Sequence, residues 1–222
     1  MLSEDDGWES RALSRDDDED WEPASRPYAE IANHNHDHIF GNGQEKGSFH
    51  ITPEHIALVR RVFPLPPELI TQILDLAEYW AYFQTICLDQ GRFHNANVRY
   101  LRSNPIQGGE FTHPLRRVIV TTDSKDQGWS SYPDTHGTRE GSWTWFELTL
   151  DDGGTGGEMV RVEVVRNVHA GFEFERYRTV IEDGRILRLA KKGDQLSVWV
   201  RANYPGWCNH VRSVQIEVWS AC

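Results

Sequence analysis

Cysteine is scarce: Cys87, Cys208 and Cys222 are scattered over 222 residues, and none stands in a C-x-x-C pair. Three such residues cannot build a disulfide framework and lack the spacing of a zinc or redox site. Reduced thiols place the chain in the cytoplasm or nucleus as an expectation. No run of eighteen apolar residues occurs, and "MLSEDDGWES" lacks the basic and apolar regions of a signal peptide, so neither a spanning segment nor secretion is expected. Catalytic signatures are missing too. There is no GxSxG elbow, no GxxxxGK[ST] loop, no HExxH and no GxGxxG after a strand. "DDGGTGGE" has no lysine and no helix after it, and reads as a hairpin loop. Cys208 and His210 stand two apart but lack a third, orienting group. No catalytic residue and no cofactor are assigned, and the chain is expected not to be an enzyme.

Basic charge is short overall, with 23 Lys and Arg against 34 Asp and Glu. Residues 1 to 50 hold 13 of those acids and 4 of those bases, which leaves 21 against 19 in the remainder. The body is near-neutral and shows no Lys/Arg stripe, so neither nucleic acid nor a membrane surface is expected as a partner.

What is present divides the chain into three parts. Residues 1 to 48 are acidic, polar and rich in Ser, Asn and Gly, and are expected to form a disordered tail. Trp8, Trp21 and Tyr28 within it read either as a short docking motif or as unselective tail residues. "NHNHDH" carries His34, His36, Asp37 and His38, but no fixed backbone is expected to hold them, and Asp123, Asp126 and Asp134 match no EF-hand spacing. No metal site is assigned.

Residues 49 to 92 read as helical. Thr52 and Pro53 suit a helix start, and Pro64, Pro66 and Pro67 stop it. A second helix begins at Pro67 or Glu68, with Leu69, Ile70, Ile73, Leu74, Ala77, Trp80 and Ala81 on one side, and is expected to run to about Leu88.

Residues 93 to 222 change to a period of two. "RRVIVTT", "MVRVEVV", "QLSVWVRA" and "VRSVQIEVW" alternate apolar and polar positions, and further strands are expected at 98–102, 142–150, 172–181 and 185–190. Turn signals at 151–157, 182–184 and 191–194 separate them. About eight short strands without intervening helices predict a mainly β fold: an antiparallel jelly-roll β-sandwich with one or two N-terminal helices.

Two segments carry candidate binding chemistry. "SWTWFELTL" as a strand turns Phe146, Leu148 and Leu150 to the core and Trp143, Trp145 and Glu147 away from it, so something must cover two indoles: the helix at 68–81, the preceding loop or a ligand. That loop supplies Asp126, Gln127, Trp129, Tyr132 and His136, and "ANYPGWCNHV" adds Tyr204 and Trp207 between two strands. Rings with a few oriented polar groups suit a sugar or a peptide side chain, but the same residues also suit a loop that caps itself.

Two resemblances follow from these residues. "PLPPELITQILDLAEYW", Pro64 to Trp80, resembles the opening helix of an F-box, with pattern LP-x-E-[LI]-x-x-x-I-[LF]. The resemblance implies that Leu65, Pro66, Leu69, Ile73 and Leu74 dock on a Skp-type adaptor of a ubiquitin ligase. "VIVTTDSKDQGW" together with "YPGWCNHVRSVQIEVW" is similar to fungal proteins of unassigned function, often carrying ankyrin repeats, in which such a helix precedes a sandwich resembling the galactose-binding-like (discoidin-type) jelly roll. It implies a recognition role and no reaction: a protein partner first, with a carbohydrate ligand as the alternative.

Overall fold

The computed structural model describes residues 53–63, 65–108 and 111–221. The expected disordered tail, its aromatics and the histidines at 34–38 lie outside the described residues.

Pro53 opens α1 (Pro53–Val62), and Pro67 opens α2 (Pro67–Leu76) as its first residue, where the missing N–H costs nothing. The second helix stops twelve residues short of the expected Leu88. Tyr79 N–H reaches Leu74 O at 2.8 Å and Glu78 N–H reaches Asp75 O at 3.0 Å, a Schellman closure with Glu78 at φ 55°. The segment beyond is a strand, β1 (Ala81–Cys87), paired antiparallel with the last strand from Ala81↔Ser220 to Cys87↔Val214. "AYFQTIC" suits either period by local pattern, and the distant partner strand decides it.

Seven more strands follow before the last: β2 (Gly91–His94), β3 (Asn97–Arg102), β4 (Leu115–Lys125), β5 (Thr144–Asp151), β6 (Glu158–Arg166), β7 (Glu175–Val180) and β8 (Gln195–Ala202); β9 (Cys208–Ser220) closes the fold. The strand expected at 185–190 is instead a short helix, α3 (Gly184–Leu189). Asp183 caps it by accepting from Arg185 N–H at 2.8 Å, and Ile186 plugs the core. The strand expected from Phe172 starts at Glu175, which leaves Phe172 and Phe174 in a loop.

All pairings are antiparallel and form two sheets. In the first, β9 lies between β4 and an edge made by β1 and β2 in line, with β7 beyond β4; the second runs β3-β8-β5-β6. β1 covers residues 214–220 of β9 and β2 covers 208–211, so the two act as one interrupted edge strand. With that edge counted once, the eight strands interleave between the sheets in jelly-roll order. Val118, Val120, Val214, Ile216 and Val218 of the first sheet face Phe146, Leu148, Leu150, Leu196, Val198 and Val200 of the second, all buried in one core. The core side of β5 is the one its alternation predicts.

The register fixes two ends. At the helix end Ala81 and Leu115 both lie opposite Ser220, and Ala221 N–H bonds Pro114 O at 2.8 Å. At the loop end Lys125 lies opposite His210, Thr144 opposite Ala202 and Trp145 opposite Arg166. The connections 126–143, 167–174 and 203–207 therefore emerge together, and the two aromatic loops picked out by sequence are neighbours.

Candidate functional site

The loop end is built on a buried polar floor. Asn167, fully buried on the 167–174 loop, accepts from Ser124 Oγ at 2.8 Å and donates to Thr144 Oγ1 and Asn209 Oδ1, both at 3.0 Å. Asn209 in turn donates to Trp145 O and Arg201 O at 3.3 Å. Asp126 belongs to the same floor. Its Oδ1 accepts from Gln127 N–H at 2.7 Å and its Oδ2 from Ala170 N–H at 3.0 Å, which holds Ala170 at φ 56°. Burial pushes the Asp126 carboxyl up to about 6 against the pull of those hydrogen bonds. Gln127 ties two loops, donating to Trp129 O at 2.9 Å and accepting from Cys208 N–H at 3.2 Å.

His169 is the hub between loops. Its main chain accepts from Gly137 N–H and donates to Thr138 O, its Nδ1 lies 2.7 Å from Thr135 Oγ1, and its ring contacts His136 and Trp207 at 5.1 and 5.2 Å. Burial first, and then the neighbouring His136, lower its pKa, so it sits there as neutral imidazole. Trp207 is buried beneath it.

On this floor stand exposed rings. Trp129 is 61% exposed, Tyr132 71%, Phe172 73% and Tyr204 54%, while Trp143, 38% exposed, meets Tyr204 edge-on at 4.8 Å. Tyr204 holds φ 72°, a left-handed backbone that costs a non-glycine residue energy. His136 is exposed beside them. Phe172, expected in a strand, stands instead in the loop before β7. Its ring lies where a Cβ on Gly128 would come within 2.9 Å, so glycine is required there by space as well as by its φ of 87°.

Trp145 and Glu147 do not join this surface. The Trp145 ring is 6% exposed and is covered by the guanidinium groups of Arg166 and Arg201 at 4.8 and 5.3 Å; its Nε1 donates to Glu147 Oε1 at 2.9 Å. Glu147 also pairs with Arg161 at 2.6 Å and Arg201 at 3.6 Å, and Arg161 lies over Trp199. The question of what covers the two indoles thus has separate answers. Arginines cover Trp145, Tyr204 half covers Trp143, and α2 covers neither. Beside Trp143 runs an open groove of about 750 Å³ lined by Thr138, Arg139, Glu140, Ser142, Trp143 and Arg166. Among the described residues no three His, Cys, Asp or Glu side chains converge as a metal-ligand set. Burial pushes the Cys208 thiol up to about 11, away from thiolate chemistry.

The helix end offers a second surface. Ile70 and Leu74 pack on Ala81 with Val59 and Phe83, and Thr71 is buried beside them. Asp75 fixes the helix to β4, accepting from Arg116 at 2.8 and 3.1 Å and from Trp80 Nε1 at 2.8 Å. Burial alone would raise the Asp75 pKa, but the bonds from Arg116 and Trp80 outweigh it and hold the carboxyl below its ordinary value. The single apolar side expected for α2 is therefore two sides. Leu74 faces inward, while Leu65, Leu69, Ile73 and Leu76 are 42%, 47%, 54% and 87% exposed, Pro66 is exposed, and Leu58, Val62 and Phe63 extend the apolar surface along α1.

No helix among the described residues is long and apolar enough to cross a membrane. Comparison with known protein families finds no family model that matches this chain, and comparison with curated proteins finds none that matches it.

Proposed function

We propose that this chain is a non-enzymatic recognition module of the cytoplasm or nucleus, in which α1 and α2 dock on a ligase adaptor of Skp type and the loop end binds the protein to be recruited. The observation that carries the reading is the division of α2. Of the five positions the F-box resemblance assigns to docking, Leu65, Pro66, Leu69 and Ile73 are exposed, while the fifth, Leu74, is buried and with Ile70 and Asp75 keeps the helix seated. Docking then requires no detachment from the sandwich. An exposed apolar face of this extent is costly unless a partner covers it, and the five rings opposite offer anchors of the kind that dominate protein interfaces.

The test is titration of the full chain with a purified Skp-type adaptor by calorimetry. Binding by the wild type, lost by at least tenfold in Leu69→Glu/Ile73→Glu with an unchanged thermal midpoint, is expected. No binding by the wild type overturns the docking reading.

A second reading, carbohydrate recognition, is favoured by the groove beside Trp143, where an indole platform adjoins Arg139 and Glu140. A glycan array with the wild type and Trp143→Ala tests it, and silence of the wild type removes it.

A further inference from the structure

The near-neutral body conceals a basic patch that exists only in the folded chain. Arg92, His210 and Lys125 come from β2, β9 and β4, and the register sets them in one row across three adjacent strands, Arg92↔His210↔Lys125. Such a row is about 10 Å long at the usual strand spacing. His94, two residues from Arg92, lies on the same face, and both are exposed. The β4–β9 ladder slips between Asp123↔Ser213 and Ser124↔Val211, so Arg212 is the extra residue of a bulge. Its guanidinium lies 3.7 Å from the centre of the Phe174 ring, and Lys125 Nζ lies 5.0 Å from the same ring.

Several arginines elsewhere on the sandwich are paired with carboxylates, as in Arg161–Glu147, Arg166–Glu163, Arg178–Glu217 and Arg185–Asp183. Among the described residues no carboxylate lies in ion-pair range of Arg92, Lys125 or Arg212; Lys125 instead donates to Phe172 O at 2.9 Å. Of the nearby acids, Asp123 stands opposite Arg176 across β7, and Glu175 is engaged by the Tyr177 hydroxyl. The cations of the patch also bear on His210. His210 is lowered to about 4, by burial first and then by Arg92, Lys125 and His94.

We infer that the row of Arg92, His210 and Lys125, with His94 beside it and with Arg212 and Phe174 at its Lys125 end, forms a binding surface for a short acidic peptide segment of a partner protein. Clustered arginines beside an apolar ring suit the carboxylates and aromatic or aliphatic anchors of such a segment. The row matches about three residues of extended chain, and a double helix would need a longer stripe of cations. The inference names the chemistry of the partner at the loop end. It rests on the recognition reading, but not on adaptor docking by α2.

Fluorescence anisotropy of the full chain tests it with four probes of equal length: a labelled Glu/Asp-rich peptide containing one Trp, its phosphoserine counterpart, its Gln/Asn counterpart and single-stranded RNA. Binding of the acidic peptide that weakens with salt, falls about tenfold or more in Arg92→Glu/Arg212→Glu, and is absent for the Gln/Asn peptide is expected. The phosphoserine peptide shows which source of negative charge is preferred, and binding of either acidic form sustains the inference. Arg212→Gln serves as a milder variant should the double substitution impair folding. A bound peptide should also raise the His210 pKa in an NMR titration, which a purely structural role for these side chains would not do. RNA binding without peptide binding, no binding of either acidic peptide, or an affinity unchanged in the variants overturns it. Trp129→Ala/Tyr132→Ala, outside the patch, tests the loop-end rings separately: binding lost there but kept in Arg92→Glu/Arg212→Glu overturns the patch and spares the loop surface.

Discussion

At the loop end, exposed rings stand on Asn167, Asn209, Asp126 and His169, all fully buried and cross-bonded between loops; at the helix end, exposed leucines stand on Ile70 and Leu74 and one Asp75–Arg116 pair. The first arrangement depends on direction. Each buried polar group needs its partner at the right angle, so the rings are held in fixed relative positions. The second depends on area, and a few apolar contacts permit the helix to shift. A rigid surface suits selection among ligands, and a lightly seated helix suits adjustment to one partner.

Asn167→Ala should break the stiff end and show the largest effect. It strands Ser124 Oγ and Asn209 Oδ1 in the interior and removes the bond that Thr144 Oγ1 accepts, at a cost of about 3 kcal/mol, read as a lowered urea midpoint. Arg116→Ala addresses the other end. It releases the α2 anchor for about 1 kcal/mol, and accelerated amide exchange confined to residues 67–76 would show it; acceleration across the core strands would contradict the contrast. Leu69→Glu/Ile73→Glu should leave stability within about 0.5 kcal/mol, since both side chains already face water.

Acidification sharpens the comparison further, because the loop end holds two groups of opposite sign. Asp126 is raised to about 6, so its contribution to stability is present at low pH and lost as pH rises through about 6. His169 is lowered, so its contribution is present above about 6.5 and lost as pH falls. Between pH 7 and 5 the two act in opposite directions in the wild type. Relative to the wild type, Asp126→Asn should lose about 1 kcal/mol on moving from pH 7 to 5, and His169→Gln should gain stability over the same interval, both read in urea titrations. Asp75, held low, contributes above about 3.8 and should release α2 only in stronger acid.

The sandwich was legible because its strands obey a period of two with apolar residues of one parity. Phe146, Leu148 and Leu150 are fully buried as that parity requires. The errors have a common cause in distant partners. "AYFQTIC" continues a helical pattern until β9 pairs with it, and "RILRL" alternates like a strand until the Asp183 cap turns it. The aromatic loops were visible as compositions, and their meeting at one end was not, because only the register brings Tyr204 to Trp143. Trp145 looked exposed because a single sequence does not reveal Arg166 and Arg201 lying over it. The basic patch was invisible for the same reason: its cations are dispersed from Arg92 to Arg212 and meet only across strands.

Because Ser220 sits opposite both Ala81 and Leu115, the carboxy-terminal residues of the sandwich leave it beside the helices. A tether attached there, whether an affinity tag, a biotin or a fluorophore, stands next to α2 and at the far side from the rings. A sensor surface loaded through that terminus will present the loop end to the solution and hinder the helix end.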